Sequence, residues 1–135
     1  DTLTLDQEVI RSTPSPFLGN IRHIRVGRNA GLTQHEMTTW FRNHDCFNIE
    51  TLSLHRQQGY EDGTGQDLRF PNLKGLSLFQ LPLSYISAED TKNLLSLRLG
   101  PIVSPHEIEE REWPNLQHFI YWEFQSPEMG IREIL

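Results

Sequence analysis

A seven-residue phrase recurs along the chain: asparagine, an apolar residue, two variable residues, apolar, variable, apolar. Asn72-Leu73-Lys74-Gly75-Leu76-Ser77-Leu78 states it most cleanly, and it returns from Asn20, Asn48, Asn93 and Asn115. The five leading asparagines at 20, 48, 72, 93 and 115 stand 28, 24, 21 and 22 residues apart. The closing triplet, as in Leu76-Ser77-Leu78, has the period of two that puts both leucines of a strand on one face and the serine on the other. The apolar residue three places before the triplet enters the same core from the preceding turn. A single unit of this kind cannot bury its apolar face, so neighbouring units must stack, strand beside strand in parallel, with a return segment behind each. The expected architecture is an α/β solenoid: a curved parallel β-sheet with helices and loops on the convex side.

The ends read as interrupted repeats. Leu3 and Leu5 look like a strand triplet whose opening lies before Asp1, and Gly130-Ile131-Arg132-Glu133-Ile134-Leu135 starts the phrase again and stops inside it. Solenoids need polar caps, which neither end supplies, so the expectation is one domain over residues 1–135, an internal fragment of a longer array with five whole repeats and a partial one at each end.

Between the strands, Ser12-Thr13-Pro14-Ser15-Pro16 rules out a regular helix across most of the first return, with Phe17 and Leu18 filling the back of the core. The second return carries the strongest helix signal. Thr33-Gln34-His35-Glu36 is a capping box, and Met37, Trp40 and Phe41 share one face, as a helix docked on the sheet requires. Residues 57–67 are polar and glycine-rich and read as a mobile loop, with neither the lysine nor the following helix that a phosphate-cradling loop needs. Ser87-Ala88-Glu89-Asp90 suits one turn of helix, and Ser104-Pro105-His106-Glu107 opens a helix expected to run to Glu112. Its glutamates read as a solvated outer face. Phe70-Pro71 and Trp113-Pro114 place an aromatic in the back of the core and a proline that fixes the chain just before a strand.

Composition excludes several classes. The chain of 135 residues has a net charge of −6, spread evenly over its two halves, which argues against a nucleic-acid or anionic-membrane face. No apolar run reaches membrane-spanning length. One cysteine, Cys46, allows no internal disulfide, and no Asn-x-Ser/Thr acceptor occurs; both fit a cytoplasmic or nuclear location. Cys46 stands where a repeat core begins, and His44-Asp45-Cys46 is too isolated for a zinc site. The histidines lack the spacing of a catalytic or ligand set, so no enzyme activity, metal or cofactor is expected.

The pattern resembles the leucine-rich repeat family, whose periods fall in this range and whose consensus Leu-x-x-Leu-x-Leu-x-x-Asn is met by Ile21, Ile24, Val26 and Asn29. Later copies carry Gln57, Leu81, Ile102 and Phe124 in place of the final asparagine, which puts an asparagine ladder in doubt. The irregular periods and openings such as Phe70-Pro71-Asn72-Leu73 are similar to degenerate intracellular arrays, especially fungal F-box and related leucine-rich-repeat proteins. That resemblance implies a protein-binding concave face and, through a domain absent from this sequence, a ubiquitin ligase adaptor. The alternative implied role is the sensor or scaffold array of a nucleotide-switched immune-type receptor.

Outward strand positions would make the partner-binding face: Arg25, His55, Phe79, Arg98, His118, Ile120 and Trp122. Phe79 and Trp122, separated by Gly100 and flanked by Ile120, form an aromatic hot spot for a protein or peptide. Arg25 and Arg98 suit acidic partner groups. Of twelve Lys and Arg residues only Lys74 and Lys92 are lysines, which limits self-modification in a ubiquitin ligase receptor.

Overall fold

A computed structural model describes residues 2–12, 20–60, 67–100, 105–122 and 131–133. The phrase-bearing segments each form a strand: β2 (His23–Val26), β3 (Thr51–His55), β4 (Gly75–Phe79), β5 (Ser96–Leu99) and β6 (His118–Trp122), preceded by β1 (Thr2–Thr4) and followed by β7 (Ile131–Glu133). They make one open sheet in sequence order, β1 to β7. The ladders joining β1 through β6 are all parallel.

The repeated phrase has a repeated hydrogen-bond signature. Its third residue donates to the carbonyl of the third residue one copy earlier: Glu50 N to Arg22 O (2.7 Å), Lys74 N to Glu50 O (2.7 Å), Leu95 N to Lys74 O (2.8 Å) and Gln117 N to Leu95 O (2.8 Å). Its second residue closes a turn onto the carbonyl three places back: Ile49 to Cys46, Leu73 to Phe70, Leu94 to Thr91 and Leu116 to Trp113. Asn48, Asn72, Asn93 and Asn115 therefore each occupy the third corner of a β-turn. Pro71 and Pro114 occupy the second, where a fixed φ suits the turn. The first corner faces inward and is filled by Cys46, Phe70, Thr91 and the half-buried Trp113.

The apolar residues of the triplets fall in register into two buried rows. Ile24, Leu52, Leu76, Leu97 and Phe119 make one row, and Val26, Leu54, Leu78, Leu99 and Tyr121 the other. Burying each such side chain contributes roughly 1.5–3 kcal/mol, and the rows merge with residues from the return segments into one core. Helix α1 (Gln7–Ser12) occupies the first return, ahead of the prolines, with the Asp6 carboxylate accepting from Val9 N at 2.9 Å. Helix α2 (Gln34–Asn43) opens on the expected capping box and buries Met37, Trp40 and Phe41. Phe41 meets Phe70 edge-on at 5.5 Å. A 3₁₀ turn (Leu83–Tyr85) and α3 (Ala88–Thr91) follow β4, and α4 (Pro105–Glu109) follows β5.

Three expectations need correction. Helix α4 stops at Glu109 rather than Glu112, because Trp113 must take the first corner of the turn before β6. The glycine-rich stretch is pinned where it begins: Gln57 is buried, and Gln58 bridges to Thr33. The last strand does not repeat the parallel pattern. β7 pairs with β6 antiparallel, Ile120 opposite Glu133 and Trp122 opposite Ile131. Eight residues, 123–130, join these strands, too few for a parallel crossover, which takes about a dozen or more, but enough for a reversal. Pro14, Pro16, Phe17, Leu18, the stretch 61–66, Ile102, Ser104, Phe124 and Gly130 lie outside the described residues.

Candidate functional site

Residues alternating with the two core rows point away from the core. In register they form one row of Thr2, His23, Thr51, Gly75, Ser96 and His118, and a second of Thr4, Arg25, Ser53, Ser77, Arg98 and Ile120. His55 and Phe79 pair at the strand ends. Arg25, Arg98 and His118 are exposed, while His55, Phe79 and Ile120 are half-buried. Trp122 ends β6, and its side chain lies outside the described residues.

The structure brings some of these residues together and separates others. The His55 and Phe79 rings lie nearly parallel, centroids 6.2 Å apart and planes inclined by 19°. The His55 Nδ1–H donates to Arg56 O at 2.8 Å. Arg98 and Ile120 are cross-strand neighbours. Arg25 and Arg98 stand three strands apart, roughly 14 Å at about 4.8 Å per strand, across a floor of Ser53 and Ser77.

Gly100 leaves no open space beside Phe79. Gly100 is buried, and a Cβ there would meet Gln80 N and Leu78 O at 3.2 Å and Phe79 Cα at 3.3 Å. The glycine lets backbone pass backbone. The ring stacked on Phe79 is His55.

Beyond the strand ends lies a hollow of about 260 Å³ lined by Arg28, Leu32, His55, Arg56, Gln57, Gln58 and Gln80, with Gly31. Gln57 forms its fixed wall. Its Nε2 donates to Gly27 O and to His55 O, each at 2.9 Å, and its N–H donates to Gln34 Oε1 at 2.8 Å. The buried Gln57 thus bridges two repeats, whereas Asn29, the consensus match, is exposed. Gln80 holds a left-handed φ of 61°, strained for a residue with a side chain. The Arg56 guanidinium lies 5.7 Å from the Tyr60 ring centroid. Arg28, Arg56 and Gln80 carry no signal in the repeat phrase. Only their place just after a strand, where solenoid loops gather, could have found them.

Other chemistry-bearing groups are engaged in packing. Cys46 is buried, and desolvation, with a smaller contribution from the Asp45 charge, pushes its thiol up to about 12. Such a thiol is structural rather than nucleophilic. Among the described residues no group of three or more His, Cys, Asp or Glu side chains is placed to hold a metal ion. No helix among them is long and apolar enough to cross a membrane. Comparison with protein-family models, curated proteins and solved structures finds no match in any of the three.

Proposed function

We propose that this chain is a leucine-rich-repeat solenoid acting by recognition rather than catalysis, with the outward rows of β2 to β6 as the concave face that takes a protein partner. The observation that carries the reading is the unbroken register: five copies of one phrase deliver their variable positions to a common surface, with arginine, histidine and the His55–Phe79 pair at its centre. A stacked array with variable outward positions is suited to binding an extended surface. Its cellular role is substrate recognition in an F-box-type ubiquitin ligase receptor, in the cytoplasm or nucleus. The resemblance of the sequence and the scarcity of lysine support this role.

Affinity capture with the protein as expressed in its own cells tests it, comparing wild type with a Phe79→Ala/Arg98→Ala variant by mass spectrometry. The reading expects ubiquitin-ligase adaptor subunits with both proteins and a partner lost from the variant. Capture of a nucleotide-binding receptor domain without adaptor subunits would replace it with the sensor or scaffold role. A partner retained by a folded variant would remove the face from consideration.

A further inference from the structure

The chain is acidic overall, yet the outward positions of β1 to β6 include no Asp or Glu. Among the described residues, none that lines the hollow beyond the strand ends carries a carboxylate either. The acid-free region is bounded by Asp6, whose carboxylate caps α1, and by the register position of Glu133 opposite Ile120. Away from this face, Arg22 pairs with Glu50, Arg69 with Asp90 and Glu89, and Lys92 with Glu112. On it, Arg25, Arg28, Arg56 and Arg98 have no carboxylate within ion-pair distance among the described residues. Arginines without a carboxylate partner among the described residues, gathered on one surface of a net-acidic protein, invite charges of opposite sign from outside.

We propose that the partner is an acidic, extended peptide segment crossing the strands. This rests on the reading of the outward rows as a binding face. Two of its carboxylates pair with Arg25 and Arg98, whose planar guanidinium groups favour bidentate carboxylate contacts. The roughly 14 Å between them corresponds to about four residues of extended chain at ~3.4 Å each, so the acidic positions fall four apart. An apolar side chain between them rests on the His55–Phe79 pair. A third carboxylate enters the hollow between Arg28 and Arg56, where the amides of Gln58 and Gln80 donate to it. A polynucleotide fits less well: its phosphates follow one another at half this spacing or less, and the net charge of −6 repels a long polyanion.

The test is selection from a random-peptide display library on the whole chain, followed by affinity measurement of selected peptides. The variants are Arg25→Glu/Arg98→Glu, Phe79→Ala and, as a charge control off the face, Lys74→Glu, each checked by thermal melting. The expected peptides are enriched in Asp and Glu at a separation of about four residues. They lose at least about tenfold in affinity to the double charge reversal and keep it for Lys74→Glu. Peptides without acidic enrichment that ignore the charge reversal but need Phe79 would overturn the acidic-partner proposal and leave the binding face standing. Peptides indifferent to all the face variants, or no selected peptide, would overturn both. Competition of the selected peptides by oligothymidylate would overturn the proposal in favour of a nucleic-acid ligand.

Discussion

At the scale of single residues, burial decides what the reactive and polar groups do. The folded chain holds the Cys46 thiol proton up to about pH 12, against an ordinary value of 9.0. Between those values the folded state keeps a proton that the unfolded state loses, so this residue's contribution to stability is full below about pH 9 and falls as pH rises. The slope approaches about 1.4 kcal/mol per pH unit. Urea denaturation from pH 8 upward should show wild type losing stability faster than Cys46→Ala, and parallel curves would contradict the assignment. Trp40 presents a different balance. Its ring stacks on His44 at 4.2 Å and meets Phe41 edge-on at 5.3 Å, while its buried Nε1–H has no hydrogen-bond partner among the described residues. Trp40→Phe removes that orphaned donor and should stay within about 1 kcal/mol of wild type, whereas Trp40→Ala should cost about 3–5 kcal/mol. Thermal melts of the two variants check this. The placement of Trp40 in the core was readable from helical spacing, but its unmet hydrogen bond was not, since partners come from tertiary packing.

At the scale of elements, polar clamps between successive segments set how the strands stack. Asp90, buried on α3, accepts from Arg69 Nε at 2.9 Å and from Phe70 N at 2.6 Å, joining α3 to the turn before β4. Asp90→Ala leaves the buried Phe70 N–H without a partner and should cost about 2–3 kcal/mol by urea denaturation. A change below about 0.5 kcal/mol would show that the clamp contributes little beyond a surface pair. Similar ties reach α2 and the segment after α4. The Tyr85 hydroxyl accepts from Gln34 Nε2 at 3.1 Å and bonds Thr38, and Arg111 Nη1 donates to Ile86 O at 2.8 Å. Gly100 acts through absence of a side chain. Gly100→Ala would drive a methyl into the backbone at the end of β4 and should cost about 1–3 kcal/mol, with the Gly100 N to Leu78 O bond (2.8 Å) losing hydrogen-exchange protection.

The strands and α2 were legible because they rest on local periodicity and a local capping pattern. Asp90, Gln57 and Gly100 were not, because each acts on residues twenty or more positions away in sequence. The reversal at β7 was hidden for another reason: Ile131-Arg132-Glu133 has the same alternation whichever way it pairs, and only the short connection before it decides.

At the scale of the whole molecule, one phrase generates both a core and a surface. The apolar positions build two continuous buried rows, and the variable positions build two outward rows whose composition can change without disturbing the core. The residue content of those rows was readable from the sequence. The pairing of His55 with Phe79, the polar hollow beside it and the exposure of Phe47 at 57% were not. Phe47 takes the second corner of its turn, where two later copies have proline, and its exposure follows from that corner rather than from its apolar character. Amide shift mapping on the isotopically labelled chain, titrated with a display-selected peptide, tests the central claim most directly. The account expects perturbations concentrated at residues 23–27, 51–56, 75–80 and 96–100, with α2 unaffected. Perturbations centred on α2 and the return segments, with the outward rows silent, would contradict it.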